Sequence, residues 1–313
     1  MSRLEVWAPD GVPEVAAGDD LAGLVLAALA DGADLADGDV VSVTSKVVSK
    51  AEGRTRTGDR DGAIDEESVR LVARRGATRI VRHRLGLTMA AAGVDASNVT
   101  VGSVILLPLD PDASARALRR EIHERAGVNV GVVVTDTAGR AWREGQTDIA
   151  VGAAGLVVAE DFAGRTDPHG NLLAVTLPAV ADEIAGAAEL AQGKLSGRPF
   201  AVVRGRADLV LPPGEDGPGA TALVRPEGGD LFGWGAREAV VRALAGDVED
   251  RPPFGAPADR DELDAALARL PDAADRTAVA AVCFAHGWQV DAWDDGPAGG
   301  RTDVVCHVSP VTT

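Results

Sequence analysis

The stretch Val132–Gly152, VVVTDTAGRAWREGQTDIAVG, starts as a buried strand and then changes character. Three consecutive valines read as a strand covered on both faces. They lead straight into Thr135, Asp136 and Thr137, then a Gly139-Arg140 turn, then Trp142, Arg143 and Glu144. A carboxylate at the exit of a buried strand is held rigidly yet faces a loop where ligands enter. Mg²⁺ and Mn²⁺ take hard oxygen ligands of this sort, and Thr137 offers a second oxygen one residue on. Taken alone, the segment fits equally a turn capped by Asp136 with two solvated arginines.

Upstream of this strand, Asp112–Ala126 (DASARALRREIHERA) carries Ala115, Leu118, Ile122 and Ala126 as an apolar stripe at helical spacing, and Gly127 ends it. This helix delivers the chain into the central strand NVGVVV. Further towards the N-terminus, Leu4–Ala8 is strand-like, Asp20 is placed to cap the helix LAGLVLAALA, and VVSVT is a strand running into SKVVSKAEGR. Residues 66–75 read as helical, Thr78–Val81 as strand, and Leu85–Ala92 as a strand or an approach to the following turn. Downstream, Leu172–Leu177 reads as strand, Pro178–Gln192 as an Ala-rich helix and Pro199–Arg204 as a buried strand. Elements mixed in this way without a strict βαβ rhythm predict an α+β fold rather than a doubly wound sheet.

A length of 313 residues allows one large domain or two ordinary ones. The composition changes after Gly246, where DVEDRPPFGAPADRDE forms an acidic, Pro-rich connector, so residues 1–246 are expected as the main domain and 247–313 as a linker and small extension. That extension should hold two short helices and a weak strand. A net charge of −17 repels nucleic acid and anionic lipid, so an anionic ligand must meet a local positive cluster or a metal. Two cysteines, Cys283 and Cys306, make no disulfide framework and fit a reducing compartment. No apolar run is long enough to span a bilayer. A cytoplasmic protein with no nucleic-acid or membrane partner is expected.

Three further segments bear on chemistry. AGVDASNV (Ala92–Val99) places Asp95 and, three residues on, Asn98 on one side of a turn, although an Asx-turn with an incidental asparagine fits as well. VTSKVVSKAEGR (Val43–Arg54) sets Ser45, Lys46, Ser49 and Lys50 at helical spacing after a strand, a local cationic cluster in an acidic protein or simply a solvated helix start. GAAELAQGKLSG (Gly186–Gly197) looks like a phosphate loop, but its glycine spacing is too long and its Gly193-Lys194 follows a helix instead of opening one. The turn Arg165–Gly170 reads as a hairpin loop. Cys283, His286, Cys306 and His307 number enough for zinc, with buried cysteines as the ordinary alternative.

In this order the segments DGVPEVAAGDDLAGL, VTSKVVSKAEGR, AGVDASNV, LLPLDPDASARALRREI, VTDTAGRAWREGQTDIAVGAAGL, GRTDPHGNLLAVT, ADEIAGAAELAQGK and PFAVVRG resemble the coenzyme F420-0:L-glutamate ligase family, the CofE proteins of archaea and the N-terminal half of actinobacterial FbiB. The resemblance spans about Leu4–Leu244. It implies a two-lobed α+β fold distinct from P-loop and ATP-grasp proteins, found as a homodimer. It implies amide-bond formation between L-glutamate and coenzyme F420-0 driven by GTP, with Mn²⁺ or Mg²⁺ and stimulation by K⁺, and in some members a second, γ-linked glutamate.

By position in the matching motifs, Asp95, Asp136 and Thr137 take metal-ligand roles and Asn98 a nucleotide contact. Asp10, Gly11, Val12 and Pro13 with Ser45, Lys46 and Lys50 lie on the GTP side, as does the turn holding Ala191, Gln192, Gly193, Lys194 and Ser196. Lys46 stands where relatives often carry a hydroxyl residue. Arg140 and Arg143 are candidates for holding substrate carboxylates through the guanidinium fork. Residues 247–313 are too few for the nitroreductase-like domain that FbiB proteins add, and no flavin is expected. The competing classes are a metal-dependent GTP-using phosphohydrolase or transferase and a noncatalytic F420- or nucleotide-binding protein.

Overall fold

The computed structural model describes residues 3–30, 34–226, 228–271, 274–294 and 305–311. From the N-terminus, β1 (Glu5–Trp7) precedes α1 (Leu21–Leu29), whose Asp20 cap accepts from the Gly23 amide as expected. β2 (Val40–Thr44) passes without a loop into α2 (Ser45–Ala51). β3 (Thr55–Thr57), α3 (Arg60–Glu67), β4 (Ser68–Arg75), β5 (Thr78–His83), β6 (Thr88–Ala90) and β7 (Ser103–Ile105) follow. α4 (Pro111–Ala126) is capped by Asp110 and ends at Gly127 with φ 72°. β8 (Gly131–Gly139) and β9 (Gln146–Ala154) form a hairpin, and α5 (Val180–Gln192) leads to β10 (Phe200–Arg204). The chain continues through α6 (Ala236–Ala245), α7 (Arg260–Leu267) and α8 (Arg276–Ala285) to the antiparallel pair β11 (Trp288–Asp294) and β12 (Val305–Pro310).

The first of two compact units holds Ile80–Val224 and the chain up to Arg70; the second holds Leu71–Arg79 and the chain from Arg225. The composition change expected to end the main domain at Gly246 falls inside the second unit, at the end of α6.

The first unit is built on a sheet of order β1-β10-β2-β8-β9 in which β2 and β8 run parallel and every other pair is antiparallel. A mixed sheet of this order is α+β, as the element rhythm predicted. The central strands are covered on both faces, which explains their unbroken valines. One face buries Val41, Val43, Val132, Val134 and Phe200 against Ala22 and Val25 of α1 and Leu118 and Ile122 of α4. The other buries Val40, Val133, Ala153 and Val203 against Val180, Ala181 and Ile184 of α5.

Two close approaches fix α4 on this sheet. Gly152 has no room for a side chain, because a Cβ there would lie 2.4 Å from the carbonyl carbon and oxygen of Pro111. Buried Asp112 accepts from the amides of Ala153 and Ala220, both at 2.8 Å, and from the Thr221 hydroxyl at 2.6 Å.

Smaller sheets are the pair β3-β7 and the three-stranded β4-β5-β6. Buried Glu67 accepts from Arg54 and Arg84, each at 2.8 Å. Burial disfavours its charge, yet the two guanidinium groups outweigh that and hold the carboxyl below its usual range. Next to it His83 is fully buried, and burial lowers its proton affinity. The Leu85 amide donates to His83 Nδ1, so a neutral ring donates from Nε2 to Glu67 at 3.1 Å.

Two sequence expectations are corrected. Residues 66–75 are not a helix: α3 ends at Glu67 and Ser68–Arg75 is β4, where exposure alternates residue by residue from Ser68 to Ala73, a strand period that pairing with β5 enforces. Leu172–Leu177 is not a strand. Leu172, Val175 and Leu177 are exposed, so the segment has no apolar face to bury; the Glu160, Phe162 and Gly164 amides donate to the Pro178, Thr176 and Leu173 carbonyls, but only the Thr166–Leu172 bridge has strand-pair geometry. The turn before it is as expected, with Asp167 accepting from the His169 and Asn171 amides.

In the second unit Leu263, Val279, Cys283 and Trp288 form a small core, and burial pushes the Cys283 thiol up to about 11. The extension therefore forms two helices and a strand pair where one weak strand was expected. Among the described residues no helix is long and apolar enough to cross a membrane.

Candidate functional site

Parallel strands end at the same edge of a sheet, and ligands of α/β proteins gather outside such carboxyl ends. β2 and β8 are in register through Thr44 and Thr135, so the residues that follow them, Ser45-Lys46 and Asp136-Thr137, emerge side by side. Between Val134 and Thr135 the β8–β9 register shifts, a bulge of the kind that re-aims side chains. Beyond it, strand alternation turns Asp136 one way and Thr135 and Thr137 the other. Buried Ser45 donates to Asp136 Oδ1 at 2.9 Å. Thr137 donates to Asp148 Oδ1 at 2.7 Å and Thr135 to Asp148 Oδ2 at 3.3 Å, Asp148 lying directly opposite Thr137 on β9.

These residues line a cavity of about 390 Å³, which is in the range of small-ligand sites. Val12, Pro13, Lys50 and Asn98 line it, as do Gln192, Gly193 and Lys194 from the end of α5 and the turn after it. Asn98 adopts φ 56°, a left-handed conformation that asparagine tolerates better than most residues. Four of the cavity's side chains are cationic, Lys46, Lys50, Lys194 and Arg198, and four are carboxylates, Glu14, Asp136, Asp148 and Glu189.

Each cation has an acidic partner. Lys46 Nζ lies 2.5 Å from Asp95 Oδ2 and donates to Ser97 at 2.8 Å. Lys50 pairs with Glu14, and Arg198 Nε donates to Asp10 at 2.7 Å. Lys194 Nζ donates to Thr137 Oγ1 at 2.6 Å and lies 2.9 Å from Glu189.

The two sequence-derived metal candidates differ in electrostatics. For Asp136, removal from water dominates and raises the carboxyl from 3.8 to about 6, with Asp148 adding to the rise and Ser45 and Lys46 opposing it. For Asp95, burial likewise disfavours the charge, but bonds from Lys46 and Ser97 outweigh it and hold the carboxyl below the usual range. Lys46 therefore acts on both.

Gln192 is 1% exposed, and neither its amide oxygen nor its nitrogen has a protein partner. An unsatisfied buried amide calls for a ligand or ion. Among the described residues no three His, Cys, Asp or Glu cluster to hold a metal unaided. A carboxylate with hydroxyl and amide oxygens is nevertheless what Mg²⁺ or Mn²⁺ uses when substrate phosphates supply the other ligands. The residues present fit such an ion.

The structure brings together Val12, Pro13, Ser45, Lys46, Lys50, Asn98, Asp136, Thr137, Gln192, Gly193 and Lys194 at one cavity. Asp95 and Asp10 join through their ion pairs with the lining residues Lys46 and Arg198. Gly11, Ala191 and Ser196 are neighbours in sequence of lining residues but do not line the cavity. Arg140 and Arg143 lie outside it, on the exposed tip of the β8–β9 hairpin, where Arg140 donates to the Glu144 carbonyl at 2.8 Å. Sequence reading missed Glu14, Asp148, Glu189 and Arg198. Asp148 comes opposite Thr137 because the loop between the strands spans residues 140–145, with Gly139 paired to Gln146, a loop length the Gly139-Arg140 turn alone does not give.

At the ends of the parallel pair β2 and β8, four cations, four carboxylates and several hydroxyl oxygens thus meet in one charge-balanced cavity. The chain belongs to the F420-0:Gamma-glutamyl ligase family, whose sequence model matches residues 11–61 and 61–205. It is 40% identical over 224 residues to the coenzyme F420:L-glutamate ligase of Archaeoglobus fulgidus, covering 65% of this chain and 88% of the relative. The protein of the same name from Methanopyrus kandleri is 40% identical over 244 residues, 70% of this chain and 93% of that one. That from Haloarcula marismortui is 41% identical over 232 residues, 64% and 87% of the two chains.

Proposed function

We propose that the protein is a GTP-dependent coenzyme F420-0:L-glutamate ligase of F420 biosynthesis. Family membership and the names of its relatives support the reaction class. The observation that carries the reading is the convergence on one cavity of four segments far apart in sequence, Val12-Pro13, Ser45 to Lys50, Asp136-Thr137 and Gln192 to Lys194.

In this reading a carboxylate oxygen of F420-0 attacks the γ-phosphorus of GTP and GDP leaves; the neutral amine of glutamate then displaces phosphate from the acyl phosphate and gives up one proton, to the departing phosphate or to water, to form the amide. Phosphoryl transfer needs positioning and relief of charge spreading over the transferred oxygens. Lys46, Lys50 and Lys194 supply positive charge, and Arg198 holds the Asp10–Pro13 turn against the cavity through Asp10. Because the lining cations are matched by as many carboxylates, a triphosphate requires additional positive charge. Asp95, Asp136 and Thr137 would hold Mn²⁺ or Mg²⁺, and the unpartnered Gln192 amide lines the same cavity as Asp136 and Thr137. That ion supplies charge neutralisation to the phosphate oxygens. A stimulating K⁺, a homodimeric assembly, contacts of Arg140 and Arg143 with substrate carboxylates, and addition of further γ-linked glutamates belong to the same proposal.

Mass spectrometry of F420-0 incubated with the protein, GTP, Mn²⁺ and glutamate tests it. Stepwise gain of glutamyl residues, with GDP formation dependent on F420-0 and multiple turnovers only when glutamate is also present, is the expected result. GTP hydrolysis independent of both, or binding without turnover, would replace the ligase reading with a hydrolase or a binding protein.

A further inference from the structure

Asp148 is the least exposed carboxylate of the cavity lining, 3% exposed, and the proposed chemistry gives it no role. Its two oxygens are engaged by different hydroxyls, Oδ1 by Thr137 at 2.7 Å and Oδ2 by Thr135 at 3.3 Å. An ionised carboxylate only accepts hydrogen bonds, so both threonines must turn their protons towards it. The consequence falls on Thr137. With its proton directed at Asp148, its oxygen presents lone pairs away from Asp148, and it accepts there from the Lys194 ammonium at 2.6 Å. A positive group already sits against that oxygen.

We infer that Asp148 is a positioning residue that fixes the Thr137 hydroxyl as an oxygen donor to the divalent cation of the cavity. The inference rests on the reading that Thr137 ligates that ion. Three features support it: Asp148 faces Thr137 across the β8–β9 ladder, its two oxygens match two hydroxyl donors, and burial of Thr135 restricts the carboxylate's orientation. Partners of this kind behind metal ligands fix ligand orientation, and their loss typically weakens metal binding by roughly 10- to 100-fold.

Asparagine discriminates well, because it offers one acceptor oxygen and one donor group. In Asp148→Asn one of the two threonines must reverse. Mn²⁺ binding to the full chain, followed by the electron paramagnetic resonance signal of free Mn²⁺, reads this without turnover. Asp148→Asn is expected to weaken Mn²⁺ binding by roughly 10- to 100-fold, and Thr137→Val should do likewise. The double variant should bind within about threefold of Thr137→Val alone, since two residues acting through one contact are not additive.

Additive losses would overturn the inference by making Asp148 an independent ligand, and so would wild-type affinity in Asp148→Asn. Wild-type affinity in Thr137→Val would remove Thr137 from the metal site and the inference with it, while glutamate addition measured on the same samples would show whether the ligase reading survives. If Asp148→Asn does not fold, Asp148→Glu, which keeps the charge but displaces its oxygens by one methylene, enters the same cycle under the same criteria.

Discussion

Replacing Asp136 by asparagine should make the ligand-free protein more stable, in a way that depends on pH. The cavity raises this carboxyl from 3.8 to about 6, so the charged form is disfavoured in the folded state relative to the unfolded chain. At about 1.4 kcal/mol for each tenfold change in proton affinity, the rise corresponds to about 3 kcal/mol. Between these two values the folded state holds the proton that the unfolded state releases, so stability falls as pH rises through that window and the loss is complete above about pH 7. Asparagine carries no charge and still accepts from Ser45. The gain of Asp136→Asn over the wild type should therefore be about 3 kcal/mol at pH 8 and less than about 1 kcal/mol at pH 4. Hydrogen exchange in a urea series, read by mass spectrometry on β8 peptides, reports unfolding of the first unit alone. A stability difference that is the same at pH 4 and pH 8, or a variant less stable than the wild type at pH 8, would refute the reasoning.

The same ionisation governs metal affinity: Mn²⁺ binding measured by calorimetry should be level above about pH 7 and weaken about tenfold per pH unit once Asp136 is mostly protonated, and a flat profile down to pH 5 would remove it as a ligand. Gly152→Ala forces a methyl group to 2.4 Å from the Pro111 backbone and should cost roughly 1–3 kcal/mol or more, lowering the melting temperature by several degrees; an unchanged melting curve would contradict the packing. Glu67→Ala leaves Arg54 and Arg84 without their shared carboxylate and should destabilise the first unit by roughly 3 kcal/mol in urea unfolding, with Glu67→Gln milder; equal effects would mean that charge pairing contributes little there.

Much of the first unit was legible because its strands are buried on both faces and its helices carry strong end signals. The valines of β2 and β8, the Asp20 cap and Gly127 each point to one structure. β4 was not legible in the same way. Its residues suit a helix locally, and what makes them a strand is pairing with β5 across the two-residue turn Gly76-Ala77, a hairpin signal that a helical reading of residues 66–75 passes over. Leu172–Leu177 failed in the opposite sense, having strand-like residues without a surface to cover.

The site divides similarly. Lys46 and Lys50 announce themselves by following the end of β2, and Asp136 by interrupting a run of buried valines. Asp148 and Glu189 are ordinary acidic residues of a strand and a helix, and they become part of the cavity only through cross-strand register and the placement of α5. Arg140 and Arg143 drew notice because of their charge, yet the hairpin carries them to its exposed tip.

The sheet order also dictates when the protein can become functional during synthesis. β10 lies between β1 and β2, with Val202 paired to Trp7 on one side and to Val41 on the other. The first strand made must wait for nearly the last of its unit, and closing so long a loop carries an entropic cost before any contact rewards it. Until Phe200–Arg204 has left the ribosome, β1 and β2 both present bare edges, the feature that most invites association with other unfinished chains.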